Sequence, residues 1–557
     1  MRTHGEKYPR ARFGRWGAVT VALLASAMLA SACRTESTAR ATLGTTPPDT
    51  ARTSGTSGTL VPAPSNTAAP TLDQAKVDGA VAQLDGVVRN VMSTTGVPGA
   101  AVAVVYNDKV IYAKGFGARD LANPTAKVDA DTRFELASLS KPLASTVVAK
   151  AVSDGKIKWD DPVVKYNPSF ALKDPYITQN VTFADLFAHR SGLPDHAGDL
   201  LEDLGYDRAT VIDRLRLMPL EPFRTSYAYT NFGLTEAGVT AAKAAGTSWE
   251  DLSQQLYDKV GMTHTSSKFS DFQNDPDKAV NHIQVDGKWQ PAKQLRNADA
   301  QSPAGGASSS VADMAKWMQL QLDNGKLGAD QYIDTKALDA TRLPQAVSSP
   351  AKTEGARSSF YGLGFNVGYD EFGRLKLSHS GAFATGAATA VTMLPTEGLG
   401  IITLTNGAPV GAAEAVNEIF LEDAQYGHPV TDWLPFLLKV FVRLANQGRS
   451  DTDYSTAPAT AAPAKASSVY EGSYANSFYG PATVATDGGK LVLKMGADQK
   501  MIFALTHYEG DVFSFATVGE NAVGLTSVTF TVGPDAKASK FVVEAFDHEG
   551  LGTFSRS

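Results

Sequence analysis

The chain has 557 residues, enough for two or three domains and a large buried core. Its formal net charge of -7, with both signs mixed along the chain, excludes the basic surface that a nucleic-acid binder needs. A single cysteine excludes an internal disulfide framework, and no His/Cys/Asp cluster has ligand spacing, so neither a metal nor another cofactor is expected.

The one markedly basic region comes first, where Arg2, Lys7, Arg10, Arg12 and Arg15 precede an apolar run over residues 17–30. That run is short for a bilayer span but suits the h-region of a secretory signal, and without an Arg-Arg pair the general secretory route is expected. Cys33 closes it in Leu29-Ala-Ser-Ala-Cys33, a position that resembles a bacterial lipobox, whose cysteine is lipidated and becomes the mature N-terminus. Ala30 departs from the commonest lipobox pattern, and an ordinary cleavage site with small residues is the alternative. Residues 34–72 are dominated by Thr, Ser, Ala, Gly and Pro. Such a segment buries too little surface to offset its ordering entropy, so it reads as a flexible stalk. The expectation is an exported protein of the cell envelope, anchored to the membrane through Cys33.

Order begins with Val77, Val81, Leu84, Val87, Val88 and Val91 at helical spacing, which predicts an amphipathic helix over residues 73–95. Gly96-Val-Pro-Gly99 breaks it, and residues 100–106 and 110–115 read as a hairpin turning at Asn107-Asp108. In Ser138-Leu-Ser-Lys141, the following Leu143, Val147, Val148 and Ala151 place the serine at the first turn of a helix. Three residues apart means one face, so Lys141 lies within reach of Ser138, near the positive end of the helix dipole. A serine nucleophile needs such an amine, neutral long enough to take a proton, and the N–H groups at the same helix end suit an oxyanion. Alone, the motif favours a plain helix cap with a solvated lysine, and it is the company further along the chain that lifts it. A second copy, Ser349-Pro-Ala-Lys352, sits in a Pro-containing loop without a dipole.

Further helices are predicted over residues 145–155, 182–190, 208–217, 231–246, 248–260 and 310–325. His189 stands where a helix C-terminus needs its carbonyls covered, which favours a structural over a catalytic role. In Tyr227-Ala-Tyr229-Thr-Asn231, the phenol and carboxamide two residues apart point the same way in an extended loop. Beside Lys141, Tyr229 would lose its proton readily and act as base towards Ser138, while Asn231 would hold the lysine or a substrate amide. The alternative is a loop-packing tyrosine with Asn231 as a helix N-cap. The glycines of the loop over residues 301–310 suggest close backbone approach near a cleft. Residues 361–367 and 375–377 read as strands, followed by His379-Ser380-Gly381-Ala382 at a strand edge. Gly381 lets a ligand lie alongside, and the Ala382 N–H is a second candidate oxyanion donor beside that of Ser138. Strands over 387–394 and 399–405 and a helix over 412–426 complete this part.

Ser138-x-x-Lys141, Tyr229-x-Asn231 and His379-Ser-Gly381, in this order, resemble the serine β-lactamase and penicillin-binding-protein superfamily, in its class C-like branch with D-alanyl-D-alanine carboxypeptidases, D-aminopeptidases and esterases. The resemblance covers residues 73–427 and includes His189-Arg-Ser-Gly-Leu-Pro, Pro303-Ala-Gly-Gly and Tyr361-Gly-Leu-Gly-Phe. It implies an α+β fold, an antiparallel sheet flanked by helices with a helical subdomain, and a site between them. It also implies Ser138 as nucleophile, Lys141 as its proton partner, Tyr229 as general base and then acid, and Asn231, His379, Ser380, Gly381 and Ala382 as substrate-binding residues. Many members carry lysine where this chain has His379, and that cation meets a substrate carboxylate. A histidine, mostly neutral at about pH 7, leaves acyl transfer plausible and puts penicillin turnover in question. The implied function is a serine hydrolase acting on an ester or a D-amino-acid-type amide, peptidoglycan-derived peptides among the candidates. The rival is a catalytically silent penicillin-binding sensor or cell-wall docking protein.

Residues 432–444 form an apolar helix that packs on this domain or lies on a membrane surface. Residues 447–468 read as another Ser/Thr/Ala/Pro linker within a 428–468 connection. Period-two segments from residue 469 to the end predict a small all-β unit that resembles the lipocalin-like domain found behind such hydrolases. It binds a ligand or caps the enzyme, and capping is favoured.

Overall fold

The computed structural model describes residues 68–353 and 356–557. The expected signal segment, Cys33 and residues 34–67 of the expected stalk lie outside the described residues. Helix α1 (Gln74–Thr95) starts at Asp73, whose carboxylate accepts from the Lys76 N–H, and stops at Gly96 in the left-handed region. Strands β1 (Gly99–Tyr106) and β2 (Lys109–Gly117) follow as the expected hairpin. The helical side contributes α2 (Ser140–Ser153), α3 (Asp199–Asp203), α4 (Asn231–Ala244) and α5 (Val311–Leu322). The chain then returns to the sheet through β3 (Ala346–Ser349), β4 (Ser359–Tyr361), β5 (Asn366–Tyr369), β6 (Leu375–Phe383), β7 (Ala387–Leu394) and β8 (Leu399–Thr405). Helices α6 (Ala412–Tyr426) and α7 (Trp433–Ala445) close the domain.

Among the described residues these eight strands make one antiparallel sheet in the order β2-β1-β8-β7-β6-β5-β4-β3. Strand β1 is buried on both faces, and its side chains alternate between two cores. Ala101, Ala103 and Val105 join the core on the α2 and α5 side, whereas Val102 and Val104 join the one formed with α1, α6 and α7. The expected α+β architecture of helices on both faces of an antiparallel sheet is therefore what the chain adopts.

Two strand expectations need correction. Strand β6 does not stop at Leu377 but runs through His379-Ser380-Gly381-Ala382 to Phe383, because every residue from Leu377 to Phe383 pairs with β7. On its other side β5 pairs only as far as Ser378, which leaves the later half of β6 as the sheet edge facing the helical side. The expected strand over residues 361–367 is interrupted, since Gly362 and Phe365 close a turn between β4 and β5. At its tip Gly364 has φ +93°, and a Cβ there would stand 2.8 Å from the Lys141 carbonyl oxygen. The turn is thus pressed against the backbone of α2.

Helix α7 buries Trp433, Leu434, Leu437, Val440, Phe441 and Leu444 against the domain, so its apolar face has a protein partner. The expected free linker over residues 447–468 is instead laid along the β unit. Ser450 Oγ donates to Glu544 at 2.8 Å, the Gly510 N–H donates to the Ala462 carbonyl at 2.8 Å, and Lys465 pairs with Asp511. That unit contains β9 (Gly472–Asn476), β10 (Gly480–Asp487), β11 (Lys490–Met495), β12 (Met501–Ala504), β13 (Thr506–Glu509), β14 (Val512–Ala516), β15 (Leu525–Val532), β16 (Ala538–Val543) and β17 (Thr553–Arg556). They form an antiparallel, nearly closed sheet in the order β12-β11-β10-β9-β17-β16-β15-β14-β13. Its two end strands are consecutive in the chain, joined through Leu505. The interior is filled by packed aromatic rings, Tyr470, Tyr474, Phe513, Phe530, Phe541 and Phe554 among them. The barrel docks on the helical side, where Tyr206 donates to the Tyr479 carbonyl at 2.8 Å and Arg214 to the Phe478 carbonyl at 2.7 Å.

Leu437 is fully buried in α7. Leu437→Ala should destabilise the protein by about 2–5 kcal/mol, the range for a large-to-small change in a packed core, read as a lower urea midpoint. An unchanged midpoint would mean that the α7 face is not a structural core.

Candidate active site

Ser138 sits in a tight 3-10 turn, Ala137–Leu139, directly before α2, much as the sequence predicts. Ala137 takes a left-handed φ of +49°, an unfavourable conformation for a residue with a side chain. It is held there by packing among Ala298, Phe383 and Ala387. Around it the turn is buried, and Ser138 alone is partly exposed. Gly381 of β6 permits the turn to approach, since a Cβ there would collide with the Leu136 carbonyl and the Thr389 hydroxyl.

Lys141 is completely buried, yet its Nζ makes three polar contacts. It lies 2.7 Å from Asn231 Oδ1, 3.0 Å from the Ala304 carbonyl oxygen and 3.1 Å from Ser138 Oγ. The orientation of the Asn231 amide is set from behind, because its Nδ2 donates to Asp199 Oδ2 at 2.7 Å. The same carboxylate oxygen is 2.7 Å from His196 Nδ1. Burial drives the Lys141 amine well below the ordinary lysine range; the Asp199 charge opposes this and the Arg296 charge adds to it. A neutral amine has two N–H donors and one lone pair. Asn231 Oδ1 and the Ala304 carbonyl are acceptors only, so they take the two donors, and the lone pair is left for the Ser138 hydroxyl.

Tyr229 completes the group. Lys141 Nζ lies 4.4 Å from the centre of its ring. Its backbone is fixed from both sides, as its N–H donates to Asp195 Oδ1 at 2.7 Å and its carbonyl accepts from the His196 N–H at 2.7 Å. Burial raises the phenol above its ordinary value, and the neighbouring Ser138 hydroxyl only partly offsets that. Among the described residues the phenol oxygen makes no hydrogen bond of sound geometry. The phenolate expected beside a lysine cation is therefore not the favoured resting state: desolvation outweighs the pairing and favours a neutral phenol beside a neutral amine.

The expected substrate-binding strand divides into groups of different kinds. His379 is buried, its Nε2 lies 2.9 Å from the Tyr361 hydroxyl and its Nδ1 2.8 Å from the Ser380 carbonyl oxygen. Burial pushes this imidazole down to about 3, so it is neutral at ordinary pH. Both nitrogens have protein partners, so no cation or vacant donor stands where many relatives present lysine. Ser380 departs from expectation. Alternation along β6 turns its side chain to the opposite face from Gly381, the α6 side, where burial pushes the Glu414 carboxyl up to about 7 and the Ser380 hydroxyl only partly offsets that. Its hydroxyl lies behind the sheet. The backbone of the edge, Ala382 included, is what this strand offers the cleft.

His189 is held against the Tyr229 loop. Its Nδ1 accepts from the Thr230 N–H at 3.1 Å, and its ring packs 4.4 Å from that of Tyr229 and 4.8 Å from that of Tyr361. Asn231 is the first residue of α4 after its N-cap, Thr230. Sequence reasoning missed Asp195, His196, Asp199 and Ala304. The first two directly follow Gly192-Leu-Pro194, but no spacing links Asp199 to Asn231 or a backbone carbonyl to Lys141.

A family model described as Beta-lactamase matches residues 84–425, and one described as a domain of unknown function, DUF3471, matches residues 456–553. The chain is 26% identical over 513 residues to Unguisins hydrolase ungD of Aspergillus violaceofuscus, covering 84% of this chain and 88% of that protein. It is 24% identical to Protein flp of Staphylococcus aureus, over 58% of this chain and 62% of that one. Among solved structures, the octameric penicillin-binding protein homologue from Pyrococcus abyssi shares the fold. Its TM-score is 0.54 at 20% identity, with 83% of this chain and 98% of that chain covered.

The neutral His379 has a consequence for acid stability. Its value in the fold is about 3 against 6.5 for a free imidazole, so between these values the unfolded chain binds more protons. Stability then falls as pH drops through that window. His189, depressed in the same direction, adds to the slope, whereas His196, raised by its carboxylate neighbours, acts in the opposite sense only above its free value, outside this window. His379→Asn, which cannot protonate, should flatten the fall in urea midpoint between about pH 7 and about pH 4. An unaltered slope would show that His379 is not held neutral.

Proposed function

This chain belongs to the Beta-lactamase family, and on that footing we propose that it is a serine hydrolase that works through an acyl-enzyme on Ser138, acting on an ester or a D-amino-acid-type amide. The observation that carries this reading is the Lys141 contact set, with Nζ 2.7 Å from Asn231 Oδ1, 3.0 Å from the Ala304 carbonyl oxygen and 3.1 Å from Ser138 Oγ. In the neutral amine the first two acceptors take both N–H donors, and the lone pair is left for the Ser138 hydroxyl. Lys141 takes the Ser138 proton as the serine oxygen attacks the substrate carbonyl. The oxyanion is held by the N–H groups of Ser138 and Ala382. Tyr229, a neutral phenol at rest, protonates the leaving group, and the phenolate so formed is stabilised by the lysine cation now beside it. Proton return from Lys141 to Tyr229 resets the pair, and water releases the acyl group by the same transfers.

For the substrate, the decisive feature is a wall that presents no free cation among the described residues. His379 is neutral, and the nearby Arg296 is already paired with Glu202 at 2.6 Å. A substrate carboxylate of the kind carried by penicillins finds no partner there, which favours esters and amides that lack one at that position. A relative whose name describes a hydrolase supports hydrolysis over silent binding. We place the enzyme outside the cytoplasm, tethered through Cys33 by the stalk, with peptidoglycan-derived peptides as candidate substrates.

Fluorophosphonate should label the wild type and p-nitrophenyl esters should be turned over, both lost in Ser138→Ala. Tyr229→Phe should lower kcat by about 10²–10⁴-fold, the span for a general acid–base group. A chromogenic cephalosporin should be a far poorer substrate than the esters. Stable labelling by a fluorescent penicillin without any turnover would instead identify a sensor, and no labelling of folded protein by either probe would identify a docking protein. In cells fed an alkyne fatty acid, the wild type should carry the label and Cys33→Ala should not. Equal labelling of both removes the anchor.

A further inference from the structure

The loop between β14 and β15 leaves the C-terminal barrel and ends on the catalytic domain at two places. On one side it docks on the last residue of α3. Asp203 accepts from the Glu520 N–H at 2.8 Å and, through its other oxygen, from the Asn521 N–H at 2.9 Å and the Asn521 side chain at 2.8 Å. Gly519 has φ +92°, and a Cβ there would collide with the Asp203 carboxylate, so only glycine fits the docked tip. On the other side Glu520 Oε1 accepts from the Ala384 N–H at 2.7 Å, one residue beyond the end of β6. Arg296 lies between the two, 2.6 Å from Glu202 of α3 and 3.8 Å from Glu520, its guanidinium 4.6 Å from the centre of the Phe383 ring.

These are the two walls of the site. Helix α3 carries Asp199, which orients Asn231 and through it Lys141. Strand β6 carries Ala382, and Phe383 and Ala384 are its next two residues. Resting on the hydrolase reading above, we propose that residues 519–521 of the C-terminal barrel form a strap that fixes the separation of α3 and β6, with Glu520 a positioning residue for the Ala382 oxyanion donor. The barrel interior is filled with aromatic side chains and its loop is engaged with the catalytic walls, so the domain serves the neighbouring site through its surface.

The test uses the full chain with a p-nitrophenyl ester, and measures amide exchange over residues 379–386 by mass spectrometry. In Glu520→Ala the oxyanion donor loses its support, and kcat should fall by at least about tenfold with KM within about threefold, since small misplacements of a catalytic group are costly. Exchange over 379–386 should rise. Glu520→Gln should recover most of kcat, because a carboxamide oxygen still accepts from the Ala384 N–H. Gly519→Ala, which displaces the docked tip without touching Glu520, should resemble Glu520→Ala. Unchanged kcat in both Glu520→Ala and Gly519→Ala overturns the strap, as does a Glu520→Gln variant as impaired as the alanine. A wild type that never acylates at Ser138 overturns the hydrolase reading itself and takes the strap's role with it. That result shows in the wild type alone, so the two failures are distinct.

Discussion

A neutral lysine amine buried from solvent must place its two protons and its lone pair on the protein. That requirement organises the site. The Asn231 oxygen and the Ala304 carbonyl accept the protons, and the Ser138 hydroxyl faces the lone pair. Each partner comes from a different part of the chain: the first residue of α4, a short turn before α5, and the strained turn ahead of α2. Desolvation lowers the amine's proton affinity far more than a helix dipole would, since dipole effects at a helix end are modest beside the burial of a full charge.

The same preference for neutral groups extends outward. His379 is satisfied by Tyr361 and by the Ser380 carbonyl, and His189 accepts from the Thr230 N–H. Tyr229 packs among these rings with its oxygen near Ser138. Carboxyl groups stand one layer back, where Asp199 fixes Asn231 and His196, and Asp195 fixes the Tyr229 backbone. A site built this way develops charge only during a proton transfer, in surroundings that already hold oriented dipoles. Backbone geometry cooperates, since Gly381 and Gly364 each leave room for close approach on either side of the Ser138–Lys141 segment.

Much of the fold was legible because its cause is local. Helix α1, the β1–β2 hairpin, α4, α5, α6 and α7 follow from apolar periodicity and from caps such as Asp73 and Gly96. Less local features were misread. The strand β6 hides its extent because its polar residues sit at a sheet edge and its pairing partner is β7. The turn at Gly362–Phe365 is imposed by packing on Lys141, and the linker over 447–468 is straightened by contacts with Asp511 and Glu544.

Within the site, the sequence by itself nominated the candidate residues for the chemistry. Ser138 and Lys141 are near neighbours on one helix end, and Tyr229 and Asn231 share a side of one loop, so spacing alone nominates both pairs. Only the tertiary structure decided what state those residues are in and who serves them. Proton affinities depend on burial, and burial is a property of the packed whole: it lowers the Lys141 amine, raises the Tyr229 phenol and leaves His379 without charge. The partners that set those states, Asp199, Ala304 and Tyr361, are brought near by folding from positions that carry no periodic or spacing signal. The sequence names the candidate groups because their motifs are short, and the fold shifts their proton affinities because electrostatics in a buried interior depends on everything packed around them.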